Sequence, residues 1–240
     1  MNDLNYIFPD ESGFKEELLD KHLSNAYFRT LHILFSAFYV KNDIDETLAE
    51  IFWLRHNIIK IKESKKIRAL RKNCSEFKVT IKKEVITEEV EELYKLYKES
   101  INFSIAPNCN EYLHVSYLEN PFDSWIIEVR ENEKLIGVSF FDLGKTSMSG
   151  IFNIYHPDYK KYSLGHFLML KRIDFCIEKN YSYLYTGYIS ASTTKYDYKT
   201  FPDSDACDVY LPVKNIWVPY VEFTKSQLCQ FYIDNEVNKI

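Results

Sequence analysis

Residues 149–202 read SGIFNIYHPDYKKYSLGHFLMLKRIDFCIEKNYSYLYTGYISASTTKYDYKTFP, and this stretch decides the fold. Gly150–Tyr155 carries Ile151, Phe152, Ile154 and Tyr155, side chains that favour a strand. His156-Pro157-Asp158 ends it, because proline donates no backbone N–H and restricts the residue before it. Ser163 is placed as a helix N-cap. From there Leu164, Phe167, Leu170, Ile173 and Ile177 recur every three or four residues, the core stripe of an amphipathic helix. Asn180 is suited to close that helix in a left-handed conformation. Tyr183–Tyr188 reads as the next strand, with Tyr183, Tyr185 and Tyr188 assigned to one face. A Lys/Tyr-rich loop follows.

A strand–turn–helix–strand unit of this kind resembles the one with which GNAT acyltransferases hold an acyl donor. In such a turn, Ser163-Leu164-Gly165-His166, the glycine lets backbone N–H groups approach a phosphate and the helix N-terminus adds partial positive charge. A single glycine at a helix start also serves plain packing or capping. The ordered run Phe152…Tyr155-His156-Pro157-Asp158…Ser163-Leu164-Gly165, then Tyr183-Leu184-Tyr185-Thr186-Gly187-Tyr188, then Lys195…Tyr198-Lys199…Phe201, resembles the C-terminal region of the arginyl- and leucyl-tRNA–protein transferases. That family carries an aromatic-x-x-Pro-(Asp) strand end, an SLG turn, a YLYLGY-like strand and a C-P-K-M-x-Y-K-x-x-F segment. Thr186 replaces a leucine of that pattern, and Thr193-Thr194 replaces the Cys-Pro.

At 240 residues the chain suits one large domain or two small ones. Its 46% hydrophobic content is ordinary for a globular protein, whereas 16% aromatic residues is high. No run approaches the ~18 uninterrupted apolar residues of a membrane span. The N-terminal segment lacks the basic and apolar regions of a signal peptide. Five scattered cysteines with no C-x-x-C pair read as reduced thiols of a cytoplasmic protein. A net charge of −5 argues against nucleic-acid contact over a large face but leaves room for a local basic patch.

Gly13–Leu23 is expected to be helical, and the apolar run Tyr27–Tyr39 fits either a strand pair or a buried helix. The resemblance places a small cysteine-rich subdomain here. No cysteine precedes Cys74, so a metal or cluster role is not carried over, and His22, His32 and His56 lack ligand-spaced partners. Metal is not expected. Ile51–Asn57 reads as a short strand. Lys60–Lys72 has seven basic residues against one acid. On a helix it presents Lys65, Arg68 and Lys72 on one face, with Lys66 and Arg71 beside them. The resemblance implies contact between this stretch and tRNA phosphates; a solvated charged helix is the alternative. Phe77–Ile81 reads as a strand, Glu88–Ser100 as a helix burying Val90, Leu93, Tyr94, Leu96 and Tyr97, and Ile101–Leu118 as loop then helix. Ser124–Arg130 and Leu135–Leu143 read as two further strands, completing the sheet order of a GNAT domain. Residues 211–240, with Trp217 and a helix over Lys225–Val237, read as a packing extension without chemistry.

The expectation is an α/β (α+β) fold: a GNAT-like acyltransferase domain over 76–240, its mixed sheet flanked by helices, behind a small N-terminal subdomain over 1–75. The resemblance implies an aminoacyl-tRNA-dependent transferase that moves arginine or leucine to an amine acceptor such as a protein or peptide N-terminus. Aminoacyl-tRNA is then a co-substrate, no cofactor is needed, and no membrane is involved. Under that reading Lys195, Tyr198 and Lys199 bind charge, with Asp197 as a proton acceptor. Ser163, Leu164, Gly165, His166 and Tyr188 face the donor, and Lys65, Lys66, Arg68, Arg71 and Lys72 face the tRNA. A small peptide or metabolite acceptor is the nearby alternative. A CoA-dependent N-acyltransferase using acetyl-CoA is the other, disfavoured by Ser163 standing where the first turn glycine belongs.

Overall fold

The computed structural model describes residues 5–41, 48–116 and 118–235. In chain order the elements are β1 (Asn5–Ile7), α1 (Glu16–Ser24), β2 (Phe28–Thr30), β3 (Ile33–Ser36), β4 (Tyr39–Lys41), β5 (Leu48–Asn57), α2 (Lys65–Asn73), β6 (Lys78–Lys83), α3 (Glu88–Ser100), α4 (Cys109–Leu113), β7 (Ser124–Glu131), β8 (Lys134–Leu143), β9 (Ser147–Tyr155), α5 (Leu164–Glu178), β10 (Tyr183–Ser190), β11 (Cys207–Leu211), β12 (Ile216–Pro219) and α6 (Lys225–Asp234). The expected end of the last helix at Val237 and the first four residues of the polar N-terminal segment lie outside the described residues. No described helix is long and apolar enough to cross a membrane.

The large sheet runs β12-β11-β5-β10-β9-β8-β7-β6, with β4 pairing β5, and a small sheet runs β1-β3-β2. Neighbours in the large sheet are antiparallel except β9 and β10, which are parallel and joined by α5. The strand, strand, strand, helix, strand order of a GNAT-like fold is therefore present, in a mixed sheet with helices on both faces.

Strand alternation decides which helix covers which face. Ile127 of β7, Phe141 of β8 and Met148 of β9 meet Leu164, Phe167, Leu168 and Ile173 of α5. Ile126, Val138, Phe140 and Ile154 meet Val90, Leu93, Tyr94 and Tyr97 of α3 on the opposite side. Each large apolar side chain sealed this way contributes roughly 1.5–3 kcal/mol. Two expected core residues fall outside these stripes: Ile177, in the last turn of α5, and Leu96 of α3 are both exposed. Asn180 does close α5 with φ 56°. Ser163 precedes α5, but at φ 53° its side chain makes no capping bond. The Tyr27–Tyr39 run forms strands rather than a helix. The helix expected over Lys60–Lys72 begins only at Lys65, where the Ser64 hydroxyl accepts from Ile67 N–H. The helix expected between Ile101 and Leu118 is the short α4.

The connection near residue 75 does not separate two independent sheets. β5, from before it, lies between β10 and β11 in the centre of the large sheet. A second tie is Arg29 on β2, whose side chain is buried with that of Asp142 on β8 at 2.8 Å. Arg29 also donates to Ser124 Oγ and to the carbonyls of Leu31 and Leu113. Desolvation raises the Asp142 carboxyl above its ordinary range, against the opposing pull of Arg29. Removing one partner of a buried pair leaves the other charge uncompensated. Arg29→Met is therefore expected to lower unfolding stability by roughly 3–5 kcal/mol, measured by urea titration. A change within experimental error would show that the pair does not fasten the N-terminal strands.

Candidate active site at the fork of the sheet

β9 and β10 pair over only three positions: Tyr183 with Ser147, Leu184 with Met148 and Tyr185 with Ser149. Both strands continue, β9 to Tyr155 and β10 to Ser190, without pairing further. The sheet therefore forks, and at the fork each strand carries a glycine, Gly150 and Gly187. Side chains of two cations occupy the space those glycines leave. A Cβ on Gly150 would lie 2.1 Å from Arg172 Nη1, and one on Gly187 would lie 3.0 Å from Lys199 Nζ. Gly187 also has φ 93°, a conformation costly for other residues. Two hydroxyls beside the fork, Ser149 Oγ and Thr186 Oγ1, are buried without a hydrogen-bond partner.

The β10 strand bulges between Tyr185 and Gly187 against β5. Strict alternation would put Tyr188 on the face opposite Tyr183 and Tyr185. The extra residue returns it to their side, and all three pack against the same aromatic cluster. Tyr185 itself is 2% exposed and belongs to the core. Tyr188 stands over Lys199, whose ammonium is 4.3 Å from the Tyr188 ring centre and 5.1 Å from that of Tyr196. Desolvation alone pushes the Lys199 ammonium down to about 8. The residue as a whole is half-buried, and the shift reflects desolvation of the ammonium beside those rings.

The loop that delivers Lys199 is fastened at two points. His56 of β5 is fully buried and lies 2.9 Å through Nε2 from the Lys199 carbonyl. Burial lowers its pKa to about 4, so it is neutral and donates to that carbonyl from Nε2. Lys225, the first residue of α6, bonds Asp197 at 2.7 and 2.8 Å and the Thr193 carbonyl at 3.0 Å. Asp197 is thus held in an ion pair as a loop anchor, and the C-terminal extension takes part in shaping the site. Lys195 is exposed, with its ammonium 5.5 Å from the Phe103 ring.

On the other flank, the phenols of Tyr97, Tyr112 and Tyr198 lie within electrostatic reach of one another, and the Tyr155 ring packs 5.2 Å from that of Tyr97. Burial raises all three of Tyr97, Tyr112 and Tyr198, Tyr112 to about 12, so they remain neutral donors. Tyr112 stacks on Phe152 at 4.4 Å, which fixes its position over β9. Tyr198 of the loop is exposed over 53% of its surface. Arg172 of α5 is 4% exposed. Its Nε donates to Ser139 Oγ at 2.5 Å and its Nη2 to the Phe152 carbonyl at 3.1 Å and to Asn153 Oδ1. Among the described residues none of its partners is a carboxylate, and desolvation lowers it to about 10.

The residues expected at the donor turn divide. Leu164 is sealed in the core, Ser163 is exposed, and Gly165 gives room to the Tyr155 ring, 3.2 Å from where a Cβ would stand. His166 packs on Phe201 at 4.5 Å, and Lys66 of α2 approaches the same Phe201 ring at 5.3 Å. The basic helix is thereby brought beside the α5 N-terminus. Of its cations, Lys65, Lys66, Arg68 and Lys72 face solvent, whereas Arg71 is held by both oxygens of Asp174 at 2.8 and 2.6 Å. The aspartates after the loop are also engaged: Asp208 pairs with Arg55, and Asp203 accepts from the N–H groups of Lys62 and Asp205. No three described His, Cys, Asp or Glu side chains cluster closely enough to hold a metal ion. Arg172, Gly150, His56, Tyr97 and Tyr112 were not legible as site residues in the sequence. A basic residue within the apolar stripe of α5 was the available signal for Arg172.

Comparison with known proteins adds to this geometry. The family model for the arginine-tRNA-protein transferase C terminus matches residues 89–204. An aspartate/glutamate leucyltransferase of Pseudomonas putida strain KT2440 is 29% identical over 136 residues, 55% of this chain and 57% of that protein. One from Leptospira interrogans serovar Lai is 26% identical over 170 residues, 68% of this chain and 65% of that protein. The chain thus spans less than two thirds of the length of these relatives. The crystal structure of FemX superposes with a TM-score of 0.46 and 9% identity, over 74% of this chain and 61% of that one.

Lys199 carries a testable cost. Its pKa is lower in the fold than the ordinary value of 10.5, so between about 8 and that value the unfolded chain binds more protons, and stability rises with pH. Below about 8 the full penalty of burying the ammonium is present. Lys199→Met is expected to raise Tm at pH 7, with the gain shrinking as pH climbs through this window. Calorimetry showing a pH-independent difference would mean that the ammonium is not desolvated.

Proposed function

Because residues 89–204 match the family model for the arginine-tRNA-protein transferase C terminus, we propose that this chain moves an amino acid from an aminoacyl-tRNA to the N-terminal amine of a protein or peptide. The amino acid is leucine rather than arginine, and the acceptor begins with an acidic residue. One observation carries this choice. The fork holds two cations, Lys199 beside the Tyr188 and Tyr196 rings and Arg172 among neutral oxygens, and neither has a carboxylate partner among the described residues. Such a site repels a guanidinium, tolerates an apolar side chain and attracts an acidic acceptor. The names of the Pseudomonas and Leptospira relatives agree with it.

The chemistry needs no enzyme nucleophile, because the ester is already activated. The acceptor nitrogen attacks the carbonyl carbon of the aminoacyl ester. The new C–N bond forms, the C–O bond to the terminal ribose breaks, and the ribose oxygen leaves as a hydroxyl. One proton must move from the attacking nitrogen to that oxygen. An α-amine ionises at about 7.7–8, and Lys199 at about 8 is matched to it. In its neutral form Lys199 takes the proton from the amine and returns it to the leaving oxygen. Tyr198 donates a hydrogen bond to the developing oxyanion. Holding the two substrates in register is the larger contribution, of order 7–11 kcal/mol in favourable cases. The solvent-facing Lys65, Lys66, Arg68 and Lys72 of α2 contact tRNA phosphates on the way to the α5 N-terminus.

The experiment is transfer of radiolabelled amino acid from a mixed pool of charged tRNAs to peptides that differ in their first residue. Ribonuclease-sensitive label, from leucyl-tRNA, in peptides beginning with Asp or Glu is the expected result. Label from arginyl-tRNA instead would overturn the donor assignment, and acetyl transfer from acetyl-CoA without any aminoacyl transfer would overturn the whole reading. Two variants refine it. Wild-type kcat/KM should rise with pH through about 8, and Lys199→Arg, which stays charged, should lose at least about 100-fold. The double change Lys65→Ala and Lys72→Ala should weaken tRNA binding and reduce the slope of log affinity against log salt by about 1.4–1.8. An unchanged slope would place the tRNA elsewhere.

A further inference from the structure

Within the transferase reading, and resting on it for the identity of the acceptor, one residue stands out that the family pattern did not supply. We propose that Arg172 is the specificity residue of the acceptor site: its open guanidinium nitrogen at Gly150 receives the side-chain carboxylate of the acceptor's N-terminal acidic residue.

Four observations carry this. Arg172 is buried at 4% exposure, and a buried cation ordinarily has a counter-ion. Among the described residues its three hydrogen bonds all go to neutral oxygens, on Ser139, Phe152 and Asn153, so the protein fixes the guanidinium without neutralising it. Those bonds use Nε and Nη2. Nη1 donates to none of the described residues, and it is not among the fully buried side-chain atoms that lack a partner. Finally, Nη1 stands where a Gly150 side chain would otherwise be, one residue beyond the last β9–β10 pair, so the one open donor sits at the mouth of the fork.

The geometry suits a carboxylate. Arginine presents a rigid planar fork to a planar anion, and here the surrounding bonds have already removed its rotational freedom. A backbone phosphate shares the negative charge but carries a ribose on each side, and Arg172 lies two turns along α5 from its N-terminus, behind the β-strands rather than on the surface. An amide side chain in place of the carboxylate would leave the guanidinium uncompensated, which is how a site of this kind discriminates between nearly isosteric residues.

The test compares peptides that begin with Asp or Glu against those that begin with Asn or Gln. Wild type should prefer the acids by about 100-fold or more in kcat/KM. In Arg172→Gln the preference should collapse to within about threefold, with Arg172→Lys between the two. If Arg172 only braces α5 against the sheet, both peptide classes will lose together and the ratio will persist, which overturns the proposal. A second measurement uses unaltered protein and no charged tRNA: the guanidinium 15N signals of Arg172 are followed while an Asp-initiated peptide, its Asn counterpart, or an uncharged CCA trinucleotide is added. A shift with the Asp peptide alone is expected. A shift with the trinucleotide, or binding of the Asp peptide without a shift, overturns the assignment. Wild type that transfers no amino acid at all sinks the transferase reading, while the 15N titration still reports whether Arg172 takes a carboxylate.

Discussion

The separation of two parallel strands is the constraint on which the rest of this molecule depends. β9 and β10 are held together for three residue pairs and then released. An open gap inside a sheet is costly unless its exposed polar groups and its volume are used. Here α5 covers one side and hands Arg172 to the Phe152 carbonyl beyond the last pair. The aromatic side chains of α3, α4 and β9 cover the other, with Tyr97 and Tyr112 against Phe152 and Tyr155 against Tyr97. The glycines on the two lips admit the two cations. The sheet thus gives up pairing where the chain has placed groups able to bind something else.

Charge at the fork is arranged by burial more than by pairing. Elsewhere the protein couples its charges: Arg29 to Asp142, Arg71 to Asp174, Arg55 to Asp208, Lys225 to Asp197. At the fork it does not, and both cations are lowered by desolvation. Perturbed ionisation of this kind is a recurrent property of binding and catalytic sites, because the missing counter-ion is left for a ligand to provide. Stability is given up at Lys199 and Arg172 and recovered in the apolar packing of α3 and α5.

Two segments that seem peripheral by sequence hold the site in shape. β5, from the N-terminal part of the chain, supplies neutral His56 to the Lys199 carbonyl. α6, near the C-terminal end of the described residues, supplies Lys225 to Asp197 and the Thr193 carbonyl. The loop between them could otherwise sample many conformations, and each anchor reduces that freedom on one side of Lys199.

The sequence by itself determined the elements of the GNAT-like unit. Apolar residues spaced by three and four mark α3 and α5, β-favouring runs mark β7, β8 and β10, and Pro157 and Asn180 mark where the chain turns. These signals are local, so they survive without knowledge of the fold. The motif around Ser163-Leu164-Gly165 and Tyr183–Tyr188 likewise carried the resemblance to a transferase family, and it drew attention to Lys199 and Tyr198. Tertiary structure alone decided the rest. Only the place where β9 and β10 part explains Gly150 and Gly187, because the separation depends on a register between residues 36 positions apart in sequence. Only the pairing of β5 with β10 and β11 reveals that the N-terminal region is part of the main sheet. And only burial converts Arg172 from one more basic residue on a helix into a fixed, uncompensated cation: solvation and counter-ion are properties of surroundings, which residues distant in the chain supply.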